Sequence, residues 1–511
     1  MSTTDALLTE WLDLYGGPEA SAVALLCDDH PADREAFTFV EPDGSSRSMT
    51  FGELAERSRK LATVLADKGI RAGDRVPVLM GKREELPVTL LALWRLGAVF
   101  VPLFTAFATG AIQLRVEGAG ATLLITEATQ RQKADPIPGI EVFDIDDLTR
   151  QAADAAPRDG CALSGGDVPI IQIYTSGTTG KPKGVAVPTR ALASFRTYLH
   201  FSMDIQPDDV YWNAADPGWA YGLYFALLGP LILGQRGILV NAGFTPQGTI
   251  DVLRGQGVTN LAGAPTMFRA LRVHGGLDGL SLRRVSSAGE PLTPDLIEFG
   301  RQAFSCEIRD HYGQTELGMV LCNHWNDAVA LPLRPGSMGQ PLPGFAMGVQ
   351  NGQIAVDTHN SPLFWFQGYH EAPDKTAERY SEDGRWCLTG DTGRVDEDGY
   401  YFFTARDDDV ILASGYRIGP FDVESVLITH PVVSEVAVVG RPDPEGLRGE
   451  IVVAVIVAIE GAETGEELAE ELKALVRDTY SKHAYPRHVE FTDALPKTPS
   501  GKVQRFILRN Q

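Results

Sequence analysis

Between Tyr174 and Gly184 the chain reads Tyr-Thr-Ser-Gly-Thr-Thr-Gly-Lys-Pro-Lys-Gly, directly after the apolar run VPIIQI. Hydroxyls at Thr175, Ser176, Thr178 and Thr179 can donate hydrogen bonds, and Lys181 and Lys183 bring positive charge. Gly177, Gly180 and Gly184 let the backbone turn sharply enough to aim amides at a bound anion. Such a stretch after a buried strand is a cradle for phosphate oxygens. It is not the Walker loop, because the position that would carry the second glycine, counted from Gly177, is Pro182, and no Gly-Lys-Ser/Thr occurs here.

The elements that must hold this loop read as alternating helix and strand. FGELAERSRKLATVLADKGI has helical spacing and stops at Gly69; DRVPVLM follows as a strand, VTLLALWRLG as a helix and AVFVPL as a strand. The rhythm continues through TLLIT, GILVN and VTNLAGAP without an internal repeat. An α/β fold is expected, with a large N-terminal domain built on parallel-rich sheets. After Arg406-Asp407-Asp408-Asp409 the texture changes. DVESVLIT reads as a short helix, and EVAVVG and EIVVAVIVAI read as strands. A further helix opens with Thr464 as N-cap and carries Leu468, Leu472, Leu475 and Val476 on one face. These mixed elements predict a small α+β C-terminal domain, dividing the chain into 1–407 and 408–511.

Composition narrows the chemistry. The 511 residues carry 45 basic and 67 acidic side chains, a net charge of -22. That balance argues against broad contact with nucleic acid or an anionic membrane, so an anionic ligand must rely on a local cluster of cations and backbone amides. Five cysteines (Cys27, Cys161, Cys306, Cys322 and Cys387) form no CxxC pair, which points to a reducing compartment without a zinc module or disulfide framework. The leading MSTTDALLTEWLDLYGG is acidic and lacks a signal-peptide pattern. Arg95 and Gly97 interrupt one apolar stretch, and Gly229, Pro230, Gly234 and Arg236 another. A cytoplasmic protein with no membrane helix is expected.

Further motifs follow in order: Ser287-Ala-Gly-Glu-Pro291, Asp310-His-Tyr-Gly-Gln-Thr-Glu316, Thr389-Gly-Asp391, Ala405-Arg-Asp-Asp-Asp-Val410, Ser414-Gly-Tyr-Arg417 and Pro496-Lys-Thr-Pro-Ser-Gly-Lys502. With the Tyr174 to Gly184 loop, they make the chain resemble the adenylate-forming (AMP-binding) superfamily, which includes acyl-CoA synthetases, luciferases and peptide-synthetase adenylation domains. The resemblance runs from about Phe51 to Arg505. It implies two steps: a carboxylate attacks the α-phosphate of ATP and expels pyrophosphate, then a thiol captures the acyl-adenylate. Neutralising two anions and aligning them should dominate the first step.

The resemblance also implies roles, residue by residue. The loop Thr175 to Lys181, with Lys183, would hold phosphates; Glu316 would hold Mg2+, for which a hard oxygen ligand is suited. Thr315 would bond the α-phosphate. Tyr312 would stack on adenine, with Gly289, Glu290 and Pro291 as the opposite wall, and Asp310, His311, Gly313 and Gln314 complete this ATP-binding stretch. Asp391 would accept from both ribose hydroxyls, Arg406 would add a ribose contact, and Arg417 a phosphate contact. Lys502 would neutralise charge developing at the α-phosphate during adenylation only. Asp408 matches the hinge about which a mobile C-terminal domain turns between steps. Ser414, Gly415 and Tyr416 would border the tunnel for CoA, and Arg477 would contact CoA.

The acid is narrowed by the pocket. Ala215-Asp-Pro-Gly-Trp-Ala-Tyr-Gly-Leu223 is similar to the acyl-CoA synthetase branch near acetyl- and medium-chain enzymes. In acetyl-CoA synthetases a tryptophan occupies the position of Gly313 and closes the pocket; Gly313 leaves it open, and Trp219, Tyr221 and Gly289 would line it. A short- or medium-chain, branched or aryl acid is expected, with replacement of Gly313 by Trp shifting preference toward acetate. The alternative is a stand-alone enzyme loading an amino or aryl acid onto a carrier protein. Its ammonium partner would be Asp216, a residue better placed to shape the DPGW turn. A non-catalytic adenylate-binding sensor is a distant third, since Lys502, Glu316 and the loop lysines are all present. The reading implies ATP, Mg2+ and CoA, a monomer or homodimer, a place in fatty acid metabolism, and a lysine acetyltransferase acting on Lys502.

Overall fold

The computed structural model describes residues 2–511 except 176–181, 407–408, 414–415, 445–449, 482 and 499–501; of 416–417 only the backbone is described. The alternation expected from sequence is present. Thr50 caps the helix Phe51–Asp67, its hydroxyl accepting from Glu53 N while the Glu53 carboxylate accepts from Thr50 N. Arg75–Leu79, Glu85–Arg95, Val99–Leu103 and Leu123–Thr126 follow as strand, helix, strand and strand. Val99–Leu103 is buried at every position, as a strand covered on both faces must be.

Among the described residues, two large sheets form the N-terminal body. One has six strands ordered Glu141–Asp144, Leu123–Thr126, Arg75–Leu79, Val99–Leu103, Pro169–Thr175 and Lys183–Pro188. The first five run parallel, and the last closes an antiparallel hairpin in which Thr175 faces Lys183. The other has nine strands, and its centre runs parallel through Tyr211–Asn213, Asn260–Gly263, Arg284–Ala288 and Ile308–Gln314. Parallel neighbours end at the same edge, so the turn after Ala288 and the turn after Gln314 open side by side. A four-stranded antiparallel sheet, Met347–Gln350, Gln353–Asp357, Trp386–Val395 and Tyr401–Arg406, adds Asp391 and Arg406, which face each other across two strands.

The last hundred residues pack on their own sheet, Val433–Pro442, Glu450–Ala458 and His488–Phe491. Alternation sorts its side chains: Val438, Val452, Ala454 and Ile456 meet Val423, Leu427, Leu472 and Val476, whereas Ala437, Val439, Val453 and Val455 meet Leu495 and Leu508. The helix expected to start at Thr464 spans Glu466–Thr479 with Gly465 as its cap, and no side-chain hydrogen bond caps it. Glu466 and Glu467 in its first turn offset the exposed amides instead. Leu468, Leu472 and Val476 are buried as expected, while Leu475 is half-buried. This body abuts the larger one through Phe421, whose ring lies 6.2 Å from that of Phe403.

All five cysteines are free; four are buried and Cys161 is half-buried. No helix among the described residues is long and apolar enough to cross a membrane.

Candidate active site

Three sheets converge on one cleft. The nine-stranded sheet supplies Tyr312, Gln314, Thr315 and Glu316, the six-stranded sheet supplies the Thr175 and Lys183 pair, and the four-stranded sheet supplies Asp391 and Arg406. Tyr312 Oη donates to Asp391 Oδ2 at 2.5 Å, and Gln314 Nε2 donates to the same oxygen at 2.7 Å and to Thr389 O at 2.8 Å. Burial raises the Asp391 carboxyl above its usual range, opposed by the Tyr312 hydrogen bond and the nearby Arg406 cation. Tyr312 and Asp391, 79 residues apart in sequence, thus form one hydrogen-bonded unit.

Glu316 is buried, and Tyr369 Oη donates to its Oε1 at 2.7 Å; Oε2 has no hydrogen-bond partner among the described residues. Lys183 Nζ sits 4.6 Å above the Tyr369 ring. Burial lowers the Lys183 pKa, and the Glu316 charge opposes that shift. Arg379 reaches the same place, donating to Gln314 Oε1 at 2.8 Å and to Thr389 O at 3.1 Å. A buried carboxylate with one oxygen anchored and the other open fits a magnesium ion that takes one protein oxygen and fills the rest of its shell with phosphates and water. No group of three or more His, Cys, Asp or Glu that could hold a metal occurs among the described residues.

Gly289 has φ +100°, a conformation costly for any side chain, and a Cβ there would meet nothing within 4 Å, so the turn presents bare backbone to open space. Glu290 beside it pairs with Arg269 at 3.2 Å, and Pro291 completes the turn. Asp310 and His311 are buried beneath this edge. Leu292 N donates to Asp310 Oδ2 at 3.4 Å, and burial pushes that carboxyl well up. Burial pushes His311 down to about 3, so its ring is neutral. His311 Nε2 lies 3.3 Å from Asn323 O, which can only accept, so Nδ1 must accept from Tyr198 Oη at 2.8 Å. Tyr198 Oη therefore accepts from Tyr221 Oη at 3.0 Å. Asp310 and His311 thus support the strand from below.

Trp219 packs its ring 5.1 Å from Phe104 and 5.4 Å from Phe107, whereas the Tyr221 ring lies 5.4 Å from Phe225 and its hydroxyl hydrogen-bonds Tyr198. Asp216 accepts from Gly218 N at 2.8 Å and lies 3.8 Å from Lys82, the turn-shaping role expected of it. Gly313 departs from expectation. A bulge falls between Tyr312 and Gly313, and a Cβ at Gly313 would lie 2.0 Å from Gly318 O and 2.7 Å from Met319 Cα. A tryptophan there meets backbone before it reaches any pocket, so the simple exchange expected from sequence requires the strand to move.

Lys502 is exposed, and the charges acting on its ammonium are Glu290, Asp391 and Arg406 of the large body. Surrounding protein lowers its pKa, and Glu290 opposes that shift. Lys183, Arg379, Arg406 and Lys502 are thus the local cations that an acidic chain needs for an anionic ligand. Thr315 contributes its carbonyl to Tyr224 Oη at 3.0 Å, and Thr175 Oγ1 is buried with no hydrogen-bond partner among the described residues. Arg477 lies on the exposed face of its helix, paired with Asp478 at 3.0 Å, and no described contact joins it to the cleft. Ser176, Gly177, Thr178, Thr179, Gly180, Lys181, Asp408, Ser414 and Gly415 lie outside the described residues, as do the side chains of Tyr416 and Arg417.

Sequence reasoning missed Tyr369 and Arg379. The aromatic-rich run Phe364-Trp-Phe-Gln-Gly-Tyr-His370 was a signal for the first; nothing local marks the second.

Comparison with known proteins shows the family. Residues 25–356 match the AMP-binding enzyme family and residues 422–502 its C-terminal domain. The chain is 34% identical over 492 residues to acetyl-coenzyme A synthetase of Bacillus subtilis (strain 168), covering 90% of this chain and 84% of that protein. It is 34% identical over 518 residues to the mitochondrial acyl-coenzyme A synthetase ACSM3 of Mus musculus, covering 93% and 86%. The crystal structure of Brucella canis acyl-CoA synthetase superposes with a TM-score of 0.77 at 41% identity over 100% of this chain and 99% of that one. A benzoate CoA ligase from Burkholderia xenovorans LB400 superposes at 0.82 with 28% identity, covering 98% and 99%. The chain therefore belongs to the AMP-binding enzyme family, among its acyl-CoA synthetases, the AMP-forming acid–thiol ligases.

Proposed function

We propose that this acyl-CoA synthetase activates a short- or medium-chain, branched or aryl acid, and that its cleft works as follows. Tyr312 and Asp391 hold the nucleoside, the ring flat against adenine and the carboxylate on the ribose hydroxyls. Gly289 to Pro291 close the other side of the base. Thr175, the loop that follows it and Lys183 take the phosphates, and Glu316 would hold Mg2+, which would supply positive charge to the phosphate oxygens. Lys502 brings a cation to the attacking carboxylate and the α-phosphate. Removing such a preorganised charge costs about 3 to 4 kcal/mol in the transition state. The convergence of Tyr312, Gln314 and Asp391 on one hydrogen-bonded unit, linked through Arg379 and Tyr369 to Glu316 and Lys183, carries this reading.

Residues 1–407 and 408–511 act as two domains hinged at Asp408, and the small one turns to bring Ser414 to Tyr416 over the adenylate for CoA. Arg477 serves CoA only in that turned arrangement. A lysine acetyltransferase acting on Lys502 would remove the charge that adenylation uses. The reaction belongs to cytoplasmic fatty acid metabolism. The aromatic side chains of Trp219 and Tyr221 would favour an apolar acid, and the engagement of Asp216 in its turn disfavours an amino acid for a carrier protein. Pyrophosphate release across C2 to C12, branched and aryl acids, with and without CoA, tests this. CoA-stimulated release with C4 to C8 or aryl acids is expected; adenylate formation indifferent to CoA would contradict it.

A further inference from the structure

The arm that presents Lys502 is held by charge at both ends. Thr498 N donates to Lys502 O at 2.8 Å and Lys502 N to Thr498 Oγ1 at 3.1 Å, and Lys497 pairs with Val503 in an antiparallel bridge. Lys502 therefore stands on the return leg of a narrow hairpin. On the outgoing leg Lys497 Nζ meets Glu435 Oε2 at 2.5 Å. Beyond the return leg, Arg505 Nη2 donates to both oxygens of Glu424, at 2.7 and 2.8 Å. Glu424 is buried and also accepts from Val438 N at 2.8 Å, so this anchor point belongs to the core of the small body. Arg505 Nη1 lies 3.8 Å from Asp409 Oδ2, and Arg509 Nη2 donates to Asp409 Oδ1 at 2.8 Å. Asp409 directly follows the expected hinge residue. One guanidinium thus ties the chain just past the hinge to the chain just past the lysine.

We propose that Arg505 is a positioning residue for Lys502. By bridging Asp409 and Glu424 it fixes the lysine hairpin to the segment leaving the hinge, so that the small body delivers the ammonium to the α-phosphate at a set reach. Without the guanidinium Asp409 keeps Arg509 and Glu424 keeps Val438 N, but the bridge between the two carboxylates is lost and the return leg loses its anchor on Glu424. A displacement of about 1 Å at a catalytic charge costs up to about a hundredfold in rate. The inference rests on reading Lys502 as the adenylation lysine.

The test uses the full chain with ATP, Mg2+ and the preferred acid, comparing Lys502→Ala, Arg505→Met, Arg505→Lys and Asp409→Asn. Two half-reactions are measured, ATP–pyrophosphate exchange and thioester formation from preformed acyl-adenylate and CoA, together with thermal melting. Arg505→Met should slow exchange by about ten- to a hundredfold in kcat, with little change in KM for ATP and with thioester formation retained. Arg505→Lys should recover part of the loss, and Asp409→Asn, the milder change, should slow exchange in the same sense with the melting temperature kept. If Lys502→Ala exchanges at the parent rate, the lysine reading fails and the positioning with it. If Lys502→Ala is slow but Arg505→Met and Asp409→Asn exchange normally, positioning alone is overturned. Equal loss of both half-reactions in both variants also overturns it, because a general structural role would not separate them.

Discussion

At the scale of single residues, the cleft depends on side chains that steady the ones doing chemistry. Tyr369 fixes one oxygen of Glu316 and leaves the other open, and its ring supports Lys183. A hydrogen bond to a charged group is worth about 1.5–3 kcal/mol. Tyr369→Phe keeps the ring and removes only the hydroxyl, so the Mg2+ concentration giving half-maximal pyrophosphate release should rise by about tenfold. A magnesium titration of the variant checks this; an unchanged requirement would contradict the proposed metal-holding role of the Tyr369-anchored Glu316. The Gln-Thr-Glu turn and Thr-Gly-Asp could be brought to one place from sequence because each is a local run whose residue types state their chemistry. Tyr369 and Arg379 could not, since they reach Glu316 and Gln314 from 53 and 65 residues away and only tertiary packing brings them there. The backbone crowding at Gly313 was hidden for a related reason. The Cβ direction there is set by a strand bulge, which no residue type announces.

At the scale of elements, hydrophobic period did most of the specifying. The alternation from Phe51 to Leu103 appears in the structure as read, and the small body sorts its sheet residues by parity onto two faces. The cap was lost because Thr464 and Gly465 compete one position apart, and a glycine can begin a helix without a side-chain bond. The contact between the two bodies was also beyond reach. Asp422, in the helix Pro420–Leu427, is raised to about 6 by burial, against a hydrogen bond from Tyr480 and the charge of Arg394. A carboxyl with a folded pKa above its unfolded value stabilises in its protonated form, so its contribution is present at low pH and is lost as pH rises through about 6. Between about pH 4 and 6 the parent should therefore lose up to about 3 kcal/mol from this group. Melting curves of the parent and Asp422→Asn across that window measure the difference, and parallel curves would contradict it.

At the scale of the whole molecule, a strongly acidic chain handles anionic substrates by confining cations to one cleft. Lys183, Arg379 and Arg406 come from the large body, and Lys502 is supplied by the small one. Family membership was legible from ordered motifs because adenylate chemistry needs several short stretches that fold to one edge. The acid was less legible, because the surroundings of Trp219 and Tyr221 are set by tertiary packing, Phe104 and Phe107 around the first and Tyr198 and Phe225 around the second, rather than by any one motif. The most direct test of the account is a single turnover followed by mass spectrometry, with enzyme in excess over a C4 to C8 or aryl acid, ATP and Mg2+, and CoA withheld and then added. The account predicts that acyl-AMP and pyrophosphate accumulate together, and that CoA converts the adenylate to thioester with AMP as the remaining product. Formation of ADP and phosphate, or thioester with no adenylate preceding it, would contradict it.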